Sequence, residues 1–267
     1  MLYIVGTPIG NIKEITFRAI DILSSVDLIA AEDTRRTLVL LNEYGIKKPM
    51  ISYQKFNERA NSSKLIDLLK EGKDIALVSD AGMPLISDPG QILTEELIAN
   101  NLEYTVIGGP SACIDALILS GLNTSAFCML GFMPEKKSER ERFLSDYSTV
   151  GCTLIFYSSV HNIDKDLAAL SEAYGNRRVA VVREISKMYE EVVRGKLGEQ
   201  LDFVRKGEFV IVVDGAPDKD YSSLSVEEHY ELYIKEGLDK KEAIKKVASD
   251  RGVAKSEIYA RIVKGES

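Results

Sequence analysis

The sequence predicts an α/β protein built as two α/β domains followed by a small C-terminal helical segment. Three observations lead there. Short apolar runs alternate with stretches of helical spacing from residue 2 to residue 213. The 267 residues are 45% hydrophobic and 28% charged, which excludes disorder as the main state and leaves room for more than one domain. Strings rich in glycine, proline and aspartate follow several apolar runs, where the carboxyl ends of parallel strands would carry a ligand.

Residues 2–5 are the first apolar run and stop at Gly6 and Pro8. Residues 17–26 repeat apolar side chains at helical spacing, and 28–31 are a second run that leads into Glu32-Asp33-Thr34-Arg35-Arg36. A helix over 37–44 halts before Gly45, and 50–53 read as a third strand. Residues 62–71 form an amphipathic helix closed by Gly72, and 75–78 are a buried strand ending at Ser79. A helix over 91–100, a strand over 104–107 and a helix over 111–120, with Ser111 as its cap, complete a domain spanning 1–120. The second domain, 121–216, has strands at 127–132, 153–157, 179–183, 191–193 and 209–213, with helices at 138–148, 162–173 and 197–206 between them. Its sheet is expected to be mixed.

Beyond Asp214-Gly215-Ala216-Pro217-Asp218 the pattern is helical, at 226–236, 240–250 and 256–263, so 217–267 form the helical tail. The last two helices flank Arg251-Gly252-Val253, as in a helix-turn-helix, and residues 235–264 carry nine Lys/Arg against five Asp/Glu.

Several function classes are disfavoured. Three widely spaced cysteines and two histidines supply no disulfide framework, no metal site and no Ser-His-Asp triad. A net charge of −7 confines nucleic-acid contact to a local basic surface. No apolar run reaches the ~20 residues of a membrane span, and residues 1–5 lack the basic lead of a signal peptide, so a cytoplasmic location is expected.

The chemistry concentrates in the strings. Gly6-Thr7-Pro8-Ile9-Gly10-Asn11 is neither a P-loop nor a dinucleotide fingerprint; it reads as a plain turn, or as a stiff loop that a flat ligand approaches closely. Residues 79–90 place two aspartates, two glycines and two prolines after a buried strand. Asp80 is read as a ligand contact, and Asp88, before Pro89, as the cap of the next helix. Gly109-Pro110-Ser111-Ala112 opens a helix whose amides either bind an anion or only start the helix. In Glu32–Arg36 the carboxylates suit a substrate hydroxyl and the arginines suit phosphate.

Taken in order, these strings resemble the tetrapyrrole methylase superfamily over nearly the full chain. Ser-Asp-Ala-Gly-x-Pro-x-x-Ser-Asp-Pro-Gly at residues 79–90 carries the likeness, and 31–35 with 131–137 point to its ribosomal RNA branch. The resemblance implies S-adenosylmethionine bound in a cleft between the two α/β domains, a homodimer, and 2′-O-methylation of a cytidine ribose in the decoding region of small-subunit ribosomal RNA. By motif match, Pro8, Asp80, Ala81, Gly82, Met83, Ser111 and Ala112 would line the cofactor site, with Tyr157 and Arg183 closing over it. The chain departs from the family at residues 157–162, Tyr-Ser-Ser-Val-His-Asn, which lack the usual carboxylate, proline and arginine.

Methyl transfer from a sulfonium needs alignment, and a ribose hydroxyl needs a base or a nearby cation. With so few histidines the candidates are Asp33, Glu32 and Lys187, Asp33 foremost, while Arg35 and Arg36 hold flanking phosphates and Lys136, Lys137 and Arg140 contact RNA. Two alternatives stand beside this reading. One is methylation of a tetrapyrrole or other small molecule at the same cofactor site. The other is a nucleic-acid-binding protein using the terminal helices.

Overall fold

In the computed structural model, residues 1–54, 58–88, 90–217, 221 and 223–264 are described. The chain forms two compact units, Met1–Ala216 and Pro217–Ser267. Among the described residues no helix is long and apolar enough to cross a membrane.

The first unit holds two five-stranded sheets. Strands β1 (Leu2–Val5), β2 (Leu28–Ala31), β3 (Met50–Ser52), β4 (Ile75–Val78) and β5 (Tyr104–Ile107) form an all-parallel sheet in the order β3-β2-β4-β1-β5. Helices α1 (Phe17–Ser25), α2 (Thr34–Glu43), α3 (Glu58–Lys70), α4 (Gln91–Ala99) and α5 (Ala112–Ser120) connect or follow its strands. The two-residue period of the strands assigns the faces. Val5, Ile29, Ala31, Ala76 and Val78 pack with Leu23 of α1 and Leu41 of α2 on one side. Leu2, Ile4, Ile75 and Leu77 meet Leu65 of α3 and Leu93 and Leu97 of α4 on the other.

The second sheet is mixed, as the sequence predicts. Strands β6 (Phe127–Phe132), β7 (Thr153–Ser159), β8 (Arg178–Arg183), β9 (Glu191–Lys196) and β10 (Glu208–Val213) run in the order β6-β7-β10-β8-β9. Only the β6–β7 pair is parallel. Helices α6 (Lys137–Asp146) and α7 (Ile163–Tyr174) cover the face carrying Leu154, Phe156, Val181 and Ile211. The opposite face, with Ile155, Ala180, Val182 and Val212, packs against Cys113, Ala116 and Leu117 of α5. One helix therefore leaves the first sheet and seals the second, which brings the two sheets' loops together.

The helix expected over 197–206 does not form. Leu197, Leu201 and Val204 imitate helical spacing, but Gly198 takes φ +85°, and Leu197 and Phe203 are buried in the core of the second sheet instead. Packing overrides a weak local pattern there. Among the described residues, three helices make the second unit: α8 (Val226–Lys235), α9 (Lys240–Arg251) and α10 (Lys255–Tyr259), the last continued by a π turn, Ala260–Lys264. A capping box between Ser225 and Glu228 starts α8, and Tyr230, Tyr233, Ile244, Val247 and Ile258 form the unit's own core.

Candidate active site

The carboxyl ends of the parallel strands lie on one edge of the first sheet, and three of their loops are joined tightly. The Thr7 amide donates to the Gly82 carbonyl (2.9 Å) and the Gly82 amide donates back to Thr7 (3.1 Å). The Thr7 hydroxyl also reaches the Ser79 carbonyl at 3.2 Å. Gly6 and Gly109 press backbone to backbone, and a Cβ on Gly109 would stand 2.9 Å from the Gly6 Cα. From the second sheet, the loop after β8 touches Gly10, where a Cβ would meet the Lys187 Cγ at 2.5 Å, and the Ser186 hydroxyl bonds Glu14 at 2.9 Å.

These loops enclose a cleft of about 440 Å³. Asp80, Ala81, Gly82, Met83, Ser111 and Ala112 form its wall from the first sheet, and Tyr157, Ser158, Val160 and Phe132 its wall from the second. The Phe132 and Tyr157 rings meet edge to face at 5.6 Å. A second chamber of about 280 Å³ shares Ile9, Arg36, Asp80, Ala81 and Glu208 with the first and adds Pro8, Thr37 and Lys187. The structure thus gathers Pro8, Asp80–Met83, Ser111, Ala112 and Tyr157 around adjoining spaces. Arg183 is held elsewhere: it is 8% exposed, donates to Glu191 at 2.8 Å and reaches the Lys206 carbonyl at 3.3 Å.

The carboxylates have distinct partners. Asp33 caps α2, and its side chain is gripped by the Arg35 amide (2.9 Å), Nε (3.0 Å) and Nη2 (2.7 Å). The Arg35 side chain, and then its amide, hold the Asp33 carboxyl down at about 2, so it is a poor proton acceptor. Asp80 accepts from the Asp33 amide at 2.9 Å and pairs with Arg36 at 3.3 Å. Glu32 lines the cleft and accepts from the Asp80 amide at 3.3 Å. Lys187 sits between Glu184 (2.9 Å) and Glu208 (2.8 Å); burial works against its charge, but the two carboxylates outweigh burial and raise its pKa, so it is a fixed cation.

Asp88 does not cap the helix that follows it. The N-cap of α4 is Gly90, and Glu58 of α3 satisfies the helix start by accepting from the Gly90 (2.8 Å) and Ile92 (3.3 Å) amides. Sequence reasoning missed Glu58, because nothing local marks a cap supplied 32 residues upstream. Asp88 lines the cleft instead. Burial, then the charges of Glu32 and Asp80, push its carboxyl up to about 6, against the pull of the Ser79 hydroxyl. Leu85 and Ser87 beside it hold left-handed φ values of +73° and +67°, each a strain of order 1–3 kcal/mol that the loop's fixed shape sustains.

The outer basic residues divide. Arg36 is 68% exposed at the mouth of both chambers. Lys136 and Lys137 lie exposed at the start of α6, within reach of Glu139 (2.9 Å) and Glu141 (3.6 Å). Arg140 is buried and bonds the Pro134 and Glu135 carbonyls, which withdraws it from any RNA surface.

The arrangement suits a ligand with a cationic centre and an anionic end. Glu32 and Asp80 supply negative charge to the cleft. The start of α5, at Ser111 and Ala112 of the same cleft, supplies amides with no side-chain cap.

A family model described as tetrapyrrole (corrin/porphyrin) methylases matches residues 1–200. A ribosomal RNA small subunit methyltransferase I from Halalkalibacterium halodurans is 46% identical over 268 residues, covering 97% of this chain and 93% of the relative. A relative of the same description from Thermotoga maritima is 44% identical over 218 residues, covering 80% of this chain and 98% of its own length. Among solved structures, the methyltransferase CobJ superposes with a TM-score of 0.62 at 18% identity over 80% of this chain and 94% of its own.

Proposed function

The chain belongs to the ribosomal RNA small subunit methyltransferase I family of tetrapyrrole methylases, and from that membership we propose that it transfers a methyl group from S-adenosylmethionine to the 2′-hydroxyl of a cytidine in the decoding region of small-subunit ribosomal RNA. The observation that carries this reading is the pair of adjoining chambers sharing Asp80, Ala81 and Arg36. The larger suits the cofactor, and the smaller, with Arg36 at its mouth and Lys187 in its wall, suits a nucleotide and its phosphates.

When bound, S-adenosylmethionine supplies the electrophilic methyl group. Asp80–Met83 and Ser111–Ala112 would hold it, with Pro8 stiffening the β1 turn and Tyr157 closing from the second sheet. The amides at the start of α5 would take its carboxylate end, and Asp80 with Glu32 would offset its positive charge. Alignment is the larger part of the catalysis asked of such a site. Arg183 serves as a brace, tying β8 to Glu191 and to the Lys206 carbonyl. Asp33 steadies Arg35 so that it and Arg36 meet phosphate, and Lys136 and Lys137 extend that contact.

The working form is a homodimer in the cytoplasm. Supporting it, Tyr104 and Val106 on edge strand β5 and Ile114 and Ile118 on α5 are exposed apolar side chains. Light scattering should give twice the chain mass.

The direct test is incubation with labelled S-adenosylmethionine and small subunits from cells lacking this gene, followed by nuclease mapping. Label on one 2′-O-methylcytidine is the expected result. Cofactor binding without RNA label would move the substrate to a small molecule.

The tail yields a separate expectation. The Thermotoga maritima relative has no counterpart for about a fifth of this chain, close to the size of Pro217–Ser267. Truncation after Pro217 should leave cofactor affinity unchanged, weaken RNA binding, and flatten the slope of log affinity against log salt. Unchanged RNA affinity and slope would assign the tail another role.

A further inference from the structure

We propose that Asp88 is the general base that takes the proton from the ribose hydroxyl during methyl transfer. The proposal rests on the reading above and names a group that reading lacks.

Asp88 lines the larger cleft, whose Arg36, Asp80 and Ala81 also line the smaller chamber, so a ribose hydroxyl that passes this junction to meet the methyl group enters the cleft Asp88 lines. Every other carboxylate at hand is engaged. Asp33 is gripped by Arg35, and Asp80 holds the Asp33 amide and Arg36. Glu32 holds the Asp80 amide, and Glu208 and Glu184 hold Lys187. Among the described residues Asp88 is the one cleft carboxylate with neither an amide nor a cation on it. Glu58 takes over the start of α4, the task that the position of Asp88 before Pro89 suggested, and so leaves Asp88 without a helix amide. Left-handed Leu85 and Ser87 fix the loop that presents it.

The groups facing it complete the picture. Glu32 at the end of β2 and Asp80 at the end of β4 disfavour a second charge, and the Ser79 hydroxyl favours it. Arg36 pairs with Asp80, and Lys187 with Glu184 and Glu208. Tyr157 is pushed up to about 12, chiefly by burial, and stays neutral. A carboxyl near 6 is charged at working pH yet basic enough to accept a proton. As the oxygen–methyl bond forms and the carbon–sulfur bond breaks, its electron pair returns to sulfur. The hydroxyl proton passes to Asp88 and then to solvent.

Stability provides a readout independent of turnover. Folding raises the Asp88 pKa from 3.8 to about 6, so the folded state binds the proton more tightly than the unfolded chain. Asp88 therefore makes wild-type stability fall as pH rises from about 4 to about 6, after which its cost is constant. Asp88→Asn has no such component, so its Tm relative to wild type should rise across that window.

The experiment compares wild type, Asp88→Asn and Asp88→Glu for S-adenosylmethionine Kd, Tm against pH, and single-turnover methylation of small subunits against pH. The expected result for Asp88→Asn is a Kd within twofold of wild type, a rate lower by about 100- to 1,000-fold, and loss of the acid limb near pH 6. Asp88→Glu should recover at least tenfold of that rate. A wild-type rate, a retained acid limb, or loss of cofactor binding in Asp88→Asn would each overturn the proposal. If wild type binds cofactor but leaves ribosomal RNA unlabelled, the underlying reading falls instead, and the wild-type arm alone reveals it.

Discussion

Asp80→Ala should weaken S-adenosylmethionine binding by roughly tenfold to a hundredfold, the worth of a charge-assisted contact of about 1.5–3 kcal/mol. Asp80 does two things at once. One carboxylate oxygen accepts the Asp33 amide at 2.9 Å and ties the end of β4 to the start of α2. The other faces Arg36 at 3.3 Å, where both chambers meet. Alanine leaves the part-buried Asp33 amide without its acceptor and removes negative charge from the cofactor wall. Calorimetry measures the loss. Arg36→Ala is the companion, since its side chain lies 68% exposed outside the strut. It should keep cofactor affinity within about threefold while weakening RNA binding and reducing the salt slope by about 1. Wild-type cofactor affinity in Asp80→Ala would leave Asp80 only its role in tying the strand ends.

That division of labour shows what the sequence made legible. Alternating apolar runs and helical stretches revealed the parallel sheet, and a parallel sheet puts all its strand carboxyl ends on one edge. The loops at Gly6, Glu32, Ser79 and Gly109 are therefore legible in the sequence as neighbours on one edge of the sheet. Contacts that cross the chain were not. Nothing near Asp33 except Arg35 itself signals that its carboxylate is already spent, and the pair looked like a base beside a phosphate ligand. An aspartate before Pro-Gly reads as a cap, so Asp88 looks like one in the sequence; Glu58 takes that task from a separate helix. Glu208 went unnoticed because its importance lies in its partner Lys187, 21 residues away. The missing helix over 197–206 has the same origin, as Leu197 and Phe203 gain more by entering the sheet's core than by a helical turn.

Gly109→Ala should disable the cofactor site, whereas Gly108→Ala, one residue earlier, should be neutral within about 0.5 kcal/mol. Both glycines follow β5, and neither needs a left-handed φ. Their surroundings separate them. A Cβ on Gly108 meets nothing within 4 Å. A Cβ on Gly109 stands 2.9 Å from the Gly6 carbonyl carbon and Cα and 3.1 Å from its oxygen. Those atoms are backbone, so no flexible side chain can move aside. The Gly6 amide is itself bonded to the Ile107 carbonyl at 2.9 Å, which resists any spreading of β1 from β5. Overpacking of this kind costs about 1–3 kcal/mol, or roughly 2–12 °C in Tm for a unit of this size. Relief requires the loop after β5 to retreat, carrying Ser111 and Ala112 out of the cleft wall. The loss in S-adenosylmethionine affinity should exceed tenfold, while circular dichroism at 20 °C stays native. Cofactor affinity equal to wild type in Gly109→Ala would mean that the start of α5 does not set the pocket, and the amide site assigned to the cofactor's carboxylate would have to be sought elsewhere.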